Sequence, residues 1–313
     1  MISVVIPLYN KATTIERAIR SVLNQTYQDY ELIVVNNGST DGGQEIVKHI
    51  QDPRLRLVEQ ENQGVSMARN RGIAESTSDY IAFLDADDEW KPEFLETVLG
   101  MKDLYPDHTV FASAYRRCDS KGNITDIQLN RLPESSNRIN SNGLKTLSLD
   151  NYFEVAALSE PPFCSISVMV RKEAIERIGG FPQGVHQGED LLTWARLAVT
   201  GRIAYCTEPL SIFYTSEKSV MDRPKRIPAD DDVVGRELAK IYNQKPLPYL
   251  DQYIAKWHKM RASIYLRLPH QANKCRDEIR QAQHWHRNNK MIIYTILSIV
   301  PYQLRMKVMK LYK

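Results

Sequence analysis

The run Leu84-Asp85-Ala86-Asp87-Asp88 sets three carboxylates side by side at the end of an apolar stretch. Neighbouring like charges repel and each resists desolvation, so stability alone gives an apolar strand no reason to end this way. A divalent cation resolves the conflict. Asp85 and Asp87 alternate along the chain and offer hard oxygens to Mg²⁺ or Mn²⁺, which keeps other positions for water and phosphate oxygens. The competing reading is a solvated turn that caps the helix opened by Trp90-Lys-Pro-Glu93, and a short acidic motif by itself leaves both open.

Three further blocks carry candidate chemistry. Val35-Asn36-Asn37-Gly38-Ser39-Thr40-Asp41-Gly42 fits a sharp turn in which Asp41 caps the next helix, and its small polar groups also suit a nucleotide base and ribose. Asn62-Gln-Gly64-Val-Ser-Met-Ala-Arg69-Asn70-Arg71-Gly72 places Arg69 near the middle of a helix entered at Gly64. Its guanidinium fork suits a phosphate or a carboxylate, although a lone arginine is ordinarily a surface residue. Gly188-Glu189-Asp190 opens a helix. The macrodipole favours acids there, and a carboxylate beside a cleft can also accept a proton from a hydroxyl.

The elements that must position these residues follow from periodicity. Apolar β-type runs at Ile2–Ile6, Glu31–Val35, Leu55–Val58 and Tyr80–Leu84 alternate with helical patterns over Thr14–Asn24, Asp41–Ile50 and Val65–Ala74. Such alternation predicts right-handed crossovers and a mostly parallel sheet covered on both faces, with ligands at the carboxyl ends of the strands. Further on, Val110–Arg116 and Ser165–Val170 read as strands, Ser135–Gly143 as a polar surface loop, and Leu191–Val199 as a helix. Asp222–Pro228 reads as a linker before helices around Asp230–Tyr242, Leu250–Leu268 and Asn273–Arg287.

With 42% hydrophobic and 25% charged residues, the chain of 313 is of ordinary globular composition. Cys118, Cys164, Cys206 and Cys275 never approach CxxC spacing, which argues against zinc or redox motifs and suits a reducing compartment. No GxGxxG or GxxxxGK[ST] is present, so hydride transfer and P-loop chemistry are disfavoured. The net charge of +3 conceals an asymmetry: from Lys240 onward 15 Lys and Arg face 3 Asp and Glu. An acidic body with a basic tail implies two parts with different partners. The start has neither a basic leader nor a long apolar segment, so the expected location is cytoplasmic.

The blocks together resemble the GT-A-fold, family-two inverting glycosyltransferases. Ser3-Val-Val-Ile-Pro7-Leu-Tyr-Asn10, Ser21-Val-Leu-Asn-Gln-Thr-Tyr27, Glu31–Asp41, Asn62–Gly72, Phe83–Trp90, Gly179-Gly180-Phe181 and Gly188–Asp190 occur in the family's order and approximate spacing. The resemblance covers roughly the first 220 residues, and the conjunction is far more specific than any one block. It implies a GT-A domain over 1–225, α/β with a Rossmann-like, mostly parallel central sheet flanked by helices, followed by a helical, basic C-terminal region over 226–313.

The resemblance also implies roles. Asp85, Ala86 and Asp87 match the DxD element, with Asp85 and Asp87 holding Mn²⁺ or Mg²⁺ and touching the donor. Asn36 and Asn37 match the nucleoside contact, Pro7, Tyr9 and Arg69 would line the same pocket, and Asp190 matches the catalytic base. Many relatives carry Asp where Asn36 and Asn37 stand. An Asn carbonyl still accepts from the uracil imide, so a UDP-sugar is the expected donor. Relatives often carry Arg and His after the strand resembling Leu210–Tyr214, where this chain has Thr215, Ser216 and Glu217. The implied reaction is inverting transfer of a sugar to an acceptor hydroxyl in surface polysaccharide or lipid-linked glycan synthesis. A sugar-phosphate nucleotidyltransferase would need a glycine-rich basic signature that Pro7-Leu-Tyr-Asn10-Lys-Ala-Thr does not supply. A catalytically degenerate scaffold is opposed by the intact Asp85, Asp87 and Asp190.

The tail is separate. Met291–Val300 is apolar but shorter than the ~20 residues a bilayer span takes. After Pro301, residues 302–313 alternate basic and apolar groups at helical spacing. The expected partner of 291–313 is an anionic membrane surface, at the inner face of the cytoplasmic membrane, against the alternative of a helix packed on the catalytic domain. No nucleic-acid recognition motif accompanies the charge.

Overall fold

The computed structural model describes residues 1–134, 138–140, 142–215, 227–289 and 291–311. The first part runs β1 (Ile2–Leu8), α1 (Ile15–Leu23), β2 (Tyr30–Asn37), α2 (Gly43–His49), β3 (Leu55–Gln60), α3 (Val65–Glu75) and β4 (Tyr80–Phe83). The middle adds β5 (Glu89–Trp90), α4 (Phe94–Leu104), β6 (Val110–Cys118), β7 (Ile124–Asp126), β8 (Arg138–Ile139), β9 (Lys145–Ser148) and α5 (Tyr152–Leu158). Then come β10 (Val168–Arg171), α6 (Lys172–Arg177), α7 (Glu189–Thr200) and β11 (Ile203–Tyr214). Five helices close the chain: α8 (Val233–Gln244), α9 (Leu250–Leu266), α10 (Ala272–Trp285), α11 (Met291–Ile299) and α12 (Tyr302–Leu311).

The sheet order is β3-β2-β1-β4-β10-β6-β11-β9-β8, with β5 on β11 and β7 on β6. β1 pairs in parallel with both β2 and β4, and β2 with β3. The chain therefore winds outward from β1 to β3 and returns to the other side of β1 at β4. That reversal opens a crevice at the carboxyl ends of β1, β2 and β4, where the sequence blocks sit. The expected parallel sheet holds there and for the β6–β11 pair. β10 runs antiparallel to both its neighbours, which makes the whole sheet mixed.

Alternation along β1 explains its two faces. Ile2, Val4, Ile6 and Leu8 join a core with Ile15, Ala18, Ile19 and Val22 of α1, whereas Val5 joins the core on the other side. α3 lies so close there that a Cβ at Gly72 would stand 2.2 Å from Val5 Cγ1, so this position admits no side chain. The second core also contains Val234 and Leu238 of α8, and Leu250, Tyr253, Ile254 and Trp257 of α9. These C-terminal helices thus share the core of the sheet.

Some expectations change in detail. The strand expected over Ser165–Val170 starts only at Val168, because Ser165–Ser167 forms a 3₁₀ turn. The Ser167 hydroxyl takes a hydrogen bond from the Cys164 N–H at 3.1 Å, a local alternative to the ladder. β2 extends through Asn36 and Asn37, which pair with Glu59 and Gln60, so these residues end a strand rather than sit in a loop. Within the surface loop expected over Ser135–Gly143, Arg138–Ile139 forms β8. Residues 135–137 and 141 lie outside the described residues, as do Ser216, Glu217 and residues 222–226 of the expected linker. Among the described residues no helix is long and apolar enough to cross a membrane.

Candidate functional site

A cleft of about 740 Å³ lies over the crevice. Pro7 and Tyr9 enter it from the end of β1, Asn37 from the end of β2, Arg69 from α3, and Asp85, Ala86 and Asp87 from the turn after β4. Seven of the expected residues therefore meet in one place. Asn10, at φ +50°, laces two of these turns together: its Oδ1 accepts from the Thr40 N–H at 2.8 Å, and its own N–H donates to Ser39 Oγ at 3.1 Å. Asp41 accepts from Gly43 N at 3.0 Å at the entry of α2 and from Ala12 N at 2.8 Å, so its expected capping role extends to the neighbouring loop.

Each acidic residue of the turn after β4 has its own partner. Asp85 Oδ1 accepts from Arg69 Nη2 at 2.7 Å, and Asp87 Oδ2 from Lys11 Nζ at 2.5 Å. Among the described residues, Asp85 Oδ2 and Asp87 Oδ1 receive no hydrogen bond. Asp88 is different. It is buried, accepts from the Tyr214 N–H at 2.7 Å, and its carboxyl is pushed up to about 9 by burial first and then by the charges of Asp85 and Asp87. The three carboxylates thus divide into two at the cleft and one protonated structural acid behind it.

The turn before α7 supplies the opposite wall. Glu189 lines the cleft, with Oε1 3.7 Å from Arg69 Nη1. Burial, followed by the neighbouring Asp190, pushes its carboxyl up to about 6. Asp190 is not among the cleft-lining residues. Its Oδ1 accepts from the Leu191 N–H at 2.7 Å, and its carboxyl is also raised, chiefly by burial and against the pull of Arg69. Arg69 itself is buried, and its Nε and Nη1 have no hydrogen-bond partner. These two nitrogens are out of contact with solvent, so Arg69 acts on the cleft chiefly through its positive charge.

Asn36 and Asn37 depart from the simple expectation. Asn36 is buried and is not part of the cleft lining; its Nδ2 donates to Glu59 Oε2 at 2.6 Å and its Oδ1 accepts from Ser39 N at 3.1 Å. Asn37 does line the cleft, but Oδ1 already accepts from Gln60 Nε2 at 2.7 Å and Gln63 N at 3.1 Å. Its Nδ2 donates to Asn62 Oδ1 at 3.0 Å. Asn37 Oδ1 thus has both lone pairs engaged, so its amide shapes this end of the cleft and offers a base an N–H but no idle carbonyl lone pair.

Several cleft residues were missed in the sequence. Lys11 follows directly on the Pro7–Asn10 block and was legible in principle. Asp232, Trp257 and Arg261 also line the cleft, from the entry of α8 and from α9. Trp257 and Arg261 stand on successive turns of one helix face, but nothing local distinguishes that pattern from an ordinary core helix. Asp232, His258 and Glu278 approach within 4.8 Å of one another. Arg261 Nε already donates to Glu278 at 2.7 Å, and the Trp257 indole N–H to Asp232 at 3.0 Å, so the group is a neutralised ion-pair network and a poor cation site.

Comparison with known proteins places the chain in a family. The model of "Glycosyl transferase family 2" matches residues 3–174. An uncharacterized glycosyltransferase of Rickettsia bellii is 29% identical over 212 residues, 67% of this chain and 28% of that protein. One from Haemophilus influenzae is 34% identical over 191 residues, 60% of this chain and 68% of that protein. YibD of Escherichia coli, also an uncharacterized glycosyltransferase, is 45% identical over 102 residues. The match spans 30% or less of the length of the Rickettsia protein and YibD. Among solved structures, S. aureus TarS 1–349 in complex with UDP-GlcNAc superposes with a TM-score of 0.63 at 16% identity, covering 100% of this chain and 92% of that one. The sheet, the flanking helices and the family match agree, and the chain belongs to glycosyl transferase family 2, on a GT-A fold.

Proposed function

We propose that this chain is a metal-dependent inverting glycosyltransferase that moves a sugar from a nucleotide-diphosphate donor to an acceptor hydroxyl. The observation that carries this is Arg69, which joins the Asp85 turn to the Glu189-Asp190 turn across one cleft. Asp85 and Asp87 fit a hard cation: each presents one carboxylate oxygen without a hydrogen bond among the described residues, and Lys11 and Arg69 now neutralise the others. When bound there, Mn²⁺ or Mg²⁺ supplies charge compensation for the leaving diphosphate. Arg69 adds positive charge beside the same anion, and Pro7, Tyr9, Asn37 and Ala86 shape the donor's seat. Asp190, adjacent to the cleft-lining Glu189, is the base that takes the acceptor proton, and burial raises its carboxyl, which makes it a stronger proton acceptor than an exposed aspartate. One base and no second carboxylate nucleophile are needed for inversion.

TarS, which shares the fold, is described in complex with UDP-GlcNAc and with UDP, and this supports a UDP-sugar donor. Calorimetric titration of UDP-GlcNAc with Mn²⁺, repeated in EDTA, tests the reading; equal affinity in both overturns the metal assignment.

The acceptor is a glycan or lipid-linked hydroxyl compound presented at the inner face of the cytoplasmic membrane. Ile292, Ile293, Ile296 and Ile299 of α11 are all exposed, Ile299 at 71%, and repeat at helical spacing on an outward face. Such a face beside a basic region suits an anionic lipid surface. Arg305 does not take part, because it is buried and donates to the Leu268 carbonyl at 3.3 Å. Met291 and Ser298 are buried on the inner side, so the segment combines a packed face with an exposed one.

A further inference from the structure

The family model ends at residue 174, before the acidic turn of α7 and before every C-terminal helix. Gly188 opens that turn at φ +80°, and a Cβ there would stand 2.5 Å from Trp257 Cζ3 and 2.6 Å from Cη2. The indole therefore lies directly against the backbone that presents Glu189 and Asp190. It is itself held in place. Its N–H donates to Asp232, which also accepts from the Gly235 N–H at 3.0 Å at the entry of α8. Arg261, one turn on, donates to Glu278 of α10 and, at 3.0 Å, to the Ala229 carbonyl. A second grip lies one turn before Trp257, where Tyr253 Oη donates to the Leu191 carbonyl at 3.0 Å.

We propose that Trp257 is a positioning residue for the Gly188-Glu189-Asp190 turn, so that α8, α9 and α10 belong to the catalytic unit and are not an appendage to it. The inference rests on the reading of Asp190 as the base. Tyr253 and Trp257 bracket the first turn of α7, and the ion-pair network behind them fixes the indole in one orientation. Removing the ring frees Gly188, the residue with the widest backbone choice, next to two carboxylates that resist burial. The turn would then relax toward solvent, and a base displaced by ~1 Å loses about 10²-fold in rate. The charged contacts to the donor come from Asp85, Asp87 and Arg69, and because Trp257 also lines the cleft the test reads kcat and donor affinity separately.

The experiment uses the full chain with UDP-GlcNAc and Mn²⁺, reading UDP release into water, donor affinity by calorimetry, and amide exchange at Leu192 and Thr193. Trp257→Ala is expected to lower kcat by about 10²-fold with the dissociation constant within about threefold, and to speed exchange at both amides. Trp257→Phe, which keeps a ring against Gly188, should recover most of the turnover. Turnover of Trp257→Ala near wild type, a donor-affinity loss that matches the loss in kcat, or no recovery by Phe each overturns the proposal. Should Trp257→Ala fail to fold, Gly188→Ala decides. Both the left-handed φ of +80° and the indole oppose a Cβ there, so turnover should fall, and in combination with Trp257→Leu the loss should be smaller than the sum of the two single-variant losses; full additivity defeats the contact. Failure of the underlying reading looks different. Asp190→Asn with normal turnover refutes the base, a wild type that binds no UDP-GlcNAc refutes the donor, and exchange at Leu192 and Thr193 then decides the contact alone.

Discussion

Arg69 Nη2 stands 2.7 Å from Asp85 Oδ1, and this pair, buried at the guanidinium and half-buried at the carboxylate, is where the two acidic walls of the cleft meet. Burial disfavours the guanidinium's charge, and Asp85 followed by Glu189 restores it. Arg69→Met should therefore destabilise the fold by about 1–3 kcal/mol, since the pair is broken from its buried side while Asp85 keeps partial access to solvent. Arg69→Lys should recover little of the donor affinity, because an ammonium cannot reach both carboxylates. Chemical denaturation and calorimetry of the two variants check this, and full function in the lysine variant would refute the bridging role.

The proposed metal dependence rests on Asp85 and Asp87. Asp87→Ala should abolish Mn²⁺-dependent donor binding with the fold intact, and EDTA should do the same to the wild type. Lys11→Ala leaves Asp87 uncompensated, so it should raise affinity for Mn²⁺ measured without nucleotide while lowering affinity for the diphosphate. A Mn²⁺ titration of the three proteins reads both effects.

Asp190→Asn keeps shape and removes the proposed base. Turnover should fall by about 10²–10⁴-fold, with donor affinity nearly unchanged. Retained turnover on an accepted substrate would assign the base elsewhere.

The pH profile carries a sign. Glu189 is raised to about 6, and Asp190 is raised by burial, so the folded state holds protons that the unfolded chain releases at lower pH. The contribution of Glu189 to stability is greatest below the unfolded carboxylate range and declines as pH rises to about 6, the raised carboxyl of Asp190 adds a decline of the same sign, and activity rises as this proposed base ionises. Opposed trends in melting temperature and kcat/KM between pH 5 and 7 are expected. Arg69→Met should shift the rate profile to higher pH, since Arg69 opposes the rise at both carboxylates.

The tail prediction is sharpened by its packing. A chain ending at residue 289 would lose Met291 from the cluster with Ala262, Tyr265, Leu266, Cys275, Ile279 and Ala282, so truncation disturbs the fold as well as the surface. Replacing Ile292, Ile296 and Ile299 with Ser spares that cluster. The triple variant should keep its melting temperature and lose sedimentation with phosphatidylserine vesicles, and wild-type binding should weaken as salt rises. Vesicle binding that ignores lipid charge or survives the triple change would leave α11 as a packing element only.

How much was legible in the sequence follows from range. The β–α alternation, the Asp85–Asp87 turn and the acidic entry to α7 are written in patterns a few residues long, because hydrophobic periodicity and helix capping act locally. Their order along the chain was enough for the family and for the crevice at the strand ends. Tertiary structure alone decided the rest. Asn36 points away because the register of β2 on β3 delivers its amide to Glu59, and a strand's alternation turns one of any two neighbours from the cleft. Arg305 left the expected lipid-facing set because folding brings the Leu268 carbonyl within its reach. Trp257 reached Gly188 because α8, α9 and the sheet share one core, a contact between distant segments for which no local pattern exists. Sequence determined which groups exist and which element carries each, and packing between remote elements decided which of them face the cleft.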